Sequence, residues 1–358
     1  MEDVAERLNQ RLVRTLERQG LVTDARVAAA FRATRRHHFL PAVALEDVYD
    51  DAVIVTRRDA LGVPTSSSSQ PAIMAIMLEQ LDVLSGHRVL EIGAGSGYNA
   101  ALLAYLAGPD GRVVSVDIDP EVAMWAQAAL DSAGAPVEVV VADGALSRPE
   151  GAPYDRIIVT AGASDLAEAW LDELSEGGVL VVPLHLAGPA QLSAAFVRRG
   201  RALFGRSLAP CGFMPMRGKL ALYGHAELDA RVVAPGRGTG LKVPVADLRN
   251  GFETWLGLAE PGYLRVRVRP EDPPSVGLSA PGGLALLEGT GSKLELVVHG
   301  AAGDAARRLA AAHARWSATH PGVADFAVDA YPRGSAPPAE PGTTLIERPR
   351  FTFRVRER

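Results

Sequence analysis

A chain of 358 residues, 47% hydrophobic and 22% charged, has the composition of an ordinary globular protein of two domains, or of one large domain with an extension. The net charge of −5 argues against general nucleic-acid binding, and the single cysteine, Cys211, excludes an internal disulfide and a cysteine-rich metal site. No apolar run approaches a membrane span and the charged segment 1–18 lacks a signal peptide's apolar core, so a cytoplasmic protein with no metal, nucleic-acid or membrane partner is expected.

Residues 1–34 carry two helical patterns. Leu8, Leu12 and Leu16 recur at one-turn spacing, and a second helix runs through Val27 and Phe31 with Thr23 or Asp24 as its N-cap. Arg35-Arg36-His37-His38 reads as a basic, solvated helix end, and Phe39-Leu40-Pro41 stops the pattern. After the apolar stretch 52–55 comes Leu61-Gly-Val-Pro-Thr-Ser-Ser-Ser-Ser-Gln-Pro71. Four consecutive serines suit a linker, but here they lead into a strongly apolar helix, 72–81, with Pro71 at its first turn. Ser69 therefore sits at the helix N-cap or just before it, in a loop that reads as part of an active site. Hydroxyl and N–H groups at such a position can bind a carboxylate.

The apolar run Val89 to Ile92 reads as a buried strand. Gly93, Gly95 and Gly97 then allow a sharp turn with close approach of a ligand, and an Ala- and Leu-rich helix begins at Tyr98. A dinucleotide fingerprint, Gly-x-Gly-x-x-Gly, would put its third glycine where this chain has Tyr98. A second strand, 112–116, ends at Asp117-Ile118, and a third, 137–141, ends at Asp143-Gly144. Successive strand ends thus offer Glu91, Asp117 and Asp143 at one sheet edge, and Asp117 is placed to accept both hydrogen bonds of a ribose diol. Three acids would repel the pyrophosphate of NAD and suit a ligand with a cationic amine, a diol and an adenine. S-adenosyl-L-methionine is such a ligand.

A fourth strand, 154–160, a helix, 166–174, closed by Gly177-Gly178, and a fifth strand, 179–184, continue the alternation, and further strands fall at 191–198 and 202–208. The fold expected is α/β, a Rossmann-like parallel sheet closed by a more antiparallel edge and preceded by N-terminal helices. Trp125 and Trp170 read as helix packing residues, His185 as a loop group, and Cys211 as a packed thiol. Past residue 220 short strands, a Pro-rich turn at 270–274, one amphipathic helix, 302–320, a loop, 332–344, and a closing strand, 351–356, give a smaller α+β region. The divisions expected are 1–80, N-terminal helices and substrate loop; 81–220, cofactor domain; and 221–358, a C-terminal extension that recognises substrate.

Ser69-Gln70-Pro71, Val89 to Tyr98, Asp143-Gly144, Pro153 to Thr160 and Gly177 to Pro183 resemble, in this order, the pattern of protein-L-isoaspartate (D-aspartate) O-methyltransferases. The resemblance covers about the first 210 residues and implies the class I S-adenosyl-L-methionine-dependent methyltransferase form of the sheet. It implies that Ser69, with Ser67 and Thr65, orients an acceptor carboxylate, and that Ser68, Glu91, Ile92, Gly93, Gly95, Gly97, Tyr98, Asn99, Asp117, Ile118, Asp143 and Gly144 bind S-adenosyl-L-methionine. Two departures, Ser66-Ser67-Ser68 where repair enzymes carry Gln-Thr-Ile and the C-terminal extension, fall where a substrate is chosen. Extended members of this kind resemble methyltransferases that tailor ribosomally made, often macrocyclic peptides of lanthipeptide or graspetide type. There the ester of an aspartate promotes succinimide and isoaspartate formation. General repair of isoaspartyl proteins, methylation of a small-molecule acid, and an inactive binding module that keeps the cofactor fold remain as alternatives.

Overall fold

The computed structural model describes residues 2–146, 150–221, 235–267 and 274–358. The chain divides into two compact units, one of residues 1–184 and 192–221 and the other of 185–191 and 222–358.

The first unit opens with α1 (Glu2–Arg18) and α2 (Ala25–Ala33). Asp24 caps α2 by accepting from Arg26 N, which satisfies one of the N–H groups a helix start leaves free. The short helix α3 (Leu45–Val48) leads to a hairpin of β1 (Ile54–Arg58) and β2 (Pro64–Ser68), with Ile54 opposite Ser68 and Val55 opposite Ser67. The serine run is therefore a strand and not a loop, because backbone pairing with β1 fixes it in extended form. Helix α4 (Pro71–Leu81) follows with Gln70 at the N-cap and Pro71 in its first turn, so Ser69 stands just before the cap. It ends where Asp82 turns left-handed, at φ 54°.

The sheet then alternates with helices: β3 (Arg88–Ile92), α5 (Tyr98–Ala107), β4 (Arg112–Asp117), α6 (Pro120–Ser132), β5 (Val137–Val141), β6 (Tyr154–Val159), α7 (Glu168–Glu173), β7 (Leu174–Leu184), β8 (Gln191–Arg199) and β9 (Ala202–Cys211). The strand order within the unit is β9-β8-β7-β6-β3-β4-β5, with β7, β6, β3, β4 and β5 parallel and β8 antiparallel to β7. Helix α7 is shorter than its pattern suggests because β7 already begins at Leu174, and Gly177 (φ 75°) lies inside that strand. The chain passes from β3 outward through β4 and β5, then returns to the other side of β3 as β6. Such a reversal opens a crevice at the carboxyl ends of the two adjoining strands, β3 and β6. Leu12 and Leu16 of α1, Val27 and Phe31 of α2, and Met77, Leu78 and Leu81 of α4 join Leu102 and Leu103 of α5 in one buried core, which fixes the helices that border this crevice.

The second unit holds an antiparallel sheet of five strands, β10 (Gly236–Pro244), β11 (Tyr263–Val266), β12 (Ser275–Ala280), β13 (Gly283–Glu288) and β14 (Lys293–Gly300), in the order β10-β14-β13-β12-β11. Three further strands, β15 (Phe326–Pro332), β16 (Thr343–Glu347) and β17 (Phe351–Glu357), run β16-β17-β15. Helix Gly303–Thr319 buries Ala305, Leu309, Ala312 and Trp316 on one face. Asp329, buried on β15, is held by Arg356 at 2.5 Å and Arg354 at 3.3 Å from the neighbouring β17. The Pro-rich turn read at 270–274 lies, but for Pro274, outside the described residues.

Candidate active site

At the end of β3 the backbone turns through Gly93 (φ 106°), Gly95 (φ 53°) and Gly97 (φ 83°). Gly93 is held on both sides: its N–H donates to Val116 O of β4 at 2.7 Å, and Thr160 Oγ1, beyond β6, donates to Gly93 O at 2.8 Å. A Cβ at Gly93 would collide with Thr160 Oγ1, so the close approach as well as the positive φ demands glycine. At Gly95 a Cβ would lie 3.0 Å from Ser67 O, so here the glycine loop abuts the serine strand.

Above this junction lies a cavity of about 820 Å³, within the range of small-molecule sites. Ile92, Gly93, Gly95, Asn99, Asp117, Ile118 and Gly144 line one side; Thr65, Ser66, Ser67, Ser68 and Ser69 line another, with Val53, Val55, Met74 and Met77 beside them. The segment 210–217 closes it with Cys211, Phe213, Met214, Met216 and Arg217.

Asp117, 9% exposed, accepts from Gly95 N (3.2 Å) and Asp119 N (3.0 Å), one donor on each oxygen. A carboxylate has about four acceptor positions, so two remain on the cavity side, enough for a diol. Arg217 stands 3.9 Å from this carboxylate and 3.7 Å from Asp119.

The period of β2 sorts the serines. Ser66 and Ser68 are buried and engaged, Ser66 Oγ by Thr56 Oγ1 at 3.2 Å and Ser68 Oγ by Arg36 Nη2 at 3.4 Å. Ser67 and Ser69 are half-buried, and among the described residues neither hydroxyl has a partner. Thr65 Oγ1 is buried without one. Buried polar groups are rarely left unpaired, and three unmet hydroxyls on one cavity wall suit a ligand that accepts hydrogen bonds.

Four residues assigned to the cofactor from the sequence do not line the cavity. Glu91 is wholly buried beneath the glycine loop, where it accepts from Asn99 Nδ2 at 2.7 Å and Ser115 Oγ at 2.5 Å, and burial pushes its carboxyl up to about 7. Gly97 serves helix packing, since a Cβ there would lie 3.1 Å from Ala126 O of α6. Tyr98 is buried among Phe31, Phe39 and Arg36. Asp143 turns away to accept from Lys219 N at 2.8 Å and Ala145 N at 3.0 Å, leaving Gly144 at the cavity.

The basic cluster at 35–38 is not a solvated helix end. Arg36 is fully buried because the carbonyls of Val48, Asp50, Ala52 and Ser69 converge on its guanidinium. At the start of α4 one donor is already engaged: Asp51 Oδ1 accepts from Ala72 N at 2.8 Å. His185 does not line the cavity; its Nε2 lies 2.9 Å from Gln191 Nε2. Cys211 does line it, but burial pushes the thiol up to about 12, so it stays protonated and is no nucleophile at neutral pH. Trp125 is 53% exposed, with the Arg57 guanidinium 5.7 Å from its ring, so it is not core; Trp170 is buried and donates to Gly144 O at 2.7 Å.

The family model for protein-L-isoaspartate(D-aspartate) O-methyltransferase matches residues 6–221. The chain belongs to this family. A protein-L-isoaspartate O-methyltransferase of Methanopyrus kandleri is 38% identical over 220 residues, 61% of this chain and 95% of the relative. A solved structure of a protein-L-isoaspartate O-methyltransferase aligns over 90% of this chain and 96% of its own, with TM-score 0.57 and 26% identity. A putative protein-L-isoaspartate O-methyltransferase from Plasmodium falciparum, solved with S-adenosyl-L-homocysteine, covers 58% of this chain and 98% of its own; at TM-score 0.50 and 20% identity the agreement is one of fold.

As a member of the O-methyltransferase family, the protein is a class I, S-adenosyl-L-methionine-dependent enzyme. The residues present fit that cofactor. Gly93, Gly95 and Gly144 leave a cradle in which a Cβ would meet Thr160, the Ser67 carbonyl or Ile92, and Asp117 keeps two free acceptor positions at its rim. Sequence reasoning missed Arg36, Asp51 and the whole of 210–217. For the last, the local signal is the prolines at 210, next to the end of β9, and at 215 beyond it.

Proposed function

We propose that this enzyme methylates the α-carboxylate of isoaspartyl residues in proteins or peptides, with the acceptor seated against Ser67 and Ser69 and the donor along Gly93–Gly95, Asp117 and Gly144. The observation that carries the reading is the contact of β2 with the glycine loop at Ser67 and Gly95, which sets two unpartnered hydroxyls beside the cofactor cradle. The family model over residues 6–221 and the name of a relative 38% identical over 220 residues support the substrate class.

When bound, S-adenosyl-L-methionine supplies a methyl carbon on a cationic sulfur. The chain's task is alignment rather than acid–base work, because a carboxylate is already ionised at neutral pH. Ser69 and Ser67 donate to one acceptor oxygen and leave the other directed at the methyl carbon. Thr65 offers a third donor. Met74, Met77, Met214 and Phe213 keep water from the reacting pair, and Asp117 holds the ribose. The new oxygen–carbon bond forms as the carbon–sulfur bond breaks, leaving a neutral thioether. The ester carries a better leaving group than the carboxylate does, so the next backbone nitrogen can attack its carbonyl carbon, expel the methoxy group as methanol with the nitrogen's proton, and close a succinimide outside the enzyme.

Tailoring of an aspartate in a ribosomally made peptide rests on the serine run and the extension. A solved protein-L-isoaspartate O-methyltransferase aligns across 90% of this chain, so the extension by itself does not favour tailoring. Labelled cofactor offered with an isoaspartyl peptide, its aspartyl isomer and a small dicarboxylic acid separates the readings. Preferential, base-labile labelling of the isoaspartyl peptide is expected, and faster labelling of the aspartyl isomer would replace repair by tailoring. Ser69→Ala should lower kcat about 10-fold, the loss of one hydrogen bond to a charged oxygen, while the affinity for S-adenosyl-L-homocysteine stays within about 3-fold.

A further inference from the structure

Arg36 is a wholly buried cation with no carboxylate partner among the described residues. Its Nη1 donates to Val48 O (2.8 Å) and Asp50 O (3.3 Å), and its Nη2 to Ala52 O (3.2 Å), Ser69 O (2.9 Å) and Ser68 Oγ (3.4 Å). The Tyr98 ring lies 5.9 Å away and Nε is unpaired. The ionisable groups whose charge reaches it are Tyr98, Asp51 and Tyr49. Carbonyl dipoles solvate such a charge without neutralising it, and an uncompensated buried charge favours an anion nearby.

The acceptor carboxylate otherwise enters an acidic setting. Asp117 lines the cavity, and Asp51 occupies the N–H of Ala72 at the start of α4. The cavity's other nearby cations are already paired: Arg217 stands by Asp117 and Asp119, and Arg57 lies 3.1 Å from Asp119 and 2.7 Å from Glu121. Arg36 touches the serine segment with its guanidinium, through Ser68 Oγ and Ser69 O.

We infer that Arg36 is a positioning and specificity residue of the methyl-acceptor site, one that fixes Ser68 and Ser69 and supplies the positive charge that selects an ionised carboxylate over its neutral amide. This rests on the proposed seating of the acceptor at Ser67 and Ser69. The guanidinium reaches the acceptor only through the serine strand, so its effect falls on acceptor recognition and leaves the cofactor cradle alone.

The test is calorimetric, with the enzyme saturated by S-adenosyl-L-homocysteine and titrated with an isoaspartyl peptide or the same peptide carrying that carboxyl as an amide. Wild type is expected to favour the acid by about 10-fold or more, as an interaction with a desolvated charge does. Arg36→Lys, which keeps the charge, should retain most of that preference, whereas Arg36→Gln should reduce it to within about 3-fold with cofactor affinity almost unchanged. An undiminished preference in Arg36→Gln would overturn the inference, as would equal losses in both variants together with lost cofactor affinity, the pattern of a purely structural clamp. Should neither variant fold, carbon-13 NMR of the labelled peptide bound to wild type decides. A bound carboxyl titrating below the free peptide's is expected, and one unchanged or raised refutes the role. Wild type that methylates no isoaspartyl peptide would instead refute the proposed function.

Discussion

Asp117→Asn is expected to weaken binding of S-adenosyl-L-homocysteine by about 100-fold, about 2.7 kcal/mol, the order of two charge-assisted hydrogen bonds degraded to one neutral bond. The carboxylate already holds Gly95 N and Asp119 N, and its two remaining acceptor positions meet the ribose hydroxyls in the proposed pose. An amide keeps one acceptor oxygen for those four donors and turns an NH₂ toward the rest. Titration calorimetry reads the loss directly, and a dissociation constant within about 3-fold of wild type would remove Asp117 from the cofactor site. The control is Asp119→Ala. That change deletes the cap of α6, where Asp119 Oδ1 accepts from Glu121 N at 3.1 Å, and the ion pair with Arg57, yet leaves the Asp117 carboxylate in place. It should lower the melting temperature, since a lost cap costs about 1 kcal/mol, and leave cofactor affinity near wild type.

The sheet, its helices and the glycine turn are legible in the sequence because each depends on a local pattern: continuous apolar runs for buried parallel strands, and glycines at 93, 95 and 97 where φ turns positive after β3. The placement of side chains around the turn is less legible. Adjacent residues of a strand face opposite ways, so Ile92 lines the cavity while Glu91 lies beneath it, and the run 66–69 divides into an engaged pair and an open pair only once β2 is known to be a strand. Asp143 and Gly144 part for a similar reason, the acid being drawn to Lys219 N, a donor far along the chain. Arg36 looked like surface charge because nothing in its neighbours announces the carbonyls of Val48, Ala52 and Ser69 that surround it. Asp51 capping α4 through Ala72, and the closure of the cavity by 210–217, are contacts of the same non-local kind.

Glu91 makes the stability of this fold depend on pH. Burial is the largest influence on its carboxyl and raises it to about 7; the hydrogen bonds from Ser115 and Asn99 oppose this without overcoming it, and the charge of Asp117 adds to the rise. In the unfolded chain the same group loses its proton near the ordinary value of about 4.3. Between those two values the folded protein binds more protons than the unfolded one, so stability is greatest at the acid end of the window and declines as pH rises toward 7, by about 3 kcal/mol over the whole window. Glu91→Gln keeps the shape and an acceptor for Asn99 Nδ2 but has no proton to lose. Scanning calorimetry from pH 5 to pH 8 should therefore find the variant close to wild type at the lower end and more stable at the upper, by roughly 5–10 °C in melting temperature for a unit of this size. Parallel curves for the two proteins would mean that Glu91 titrates normally and that its buried hydrogen bonds, rather than desolvation, control its charge. The variant also separates two roles. A gain in stability at pH 8 accompanied by a loss of cofactor affinity would show that the negative charge under the glycine loop is kept for binding, at the expense of the fold that carries it.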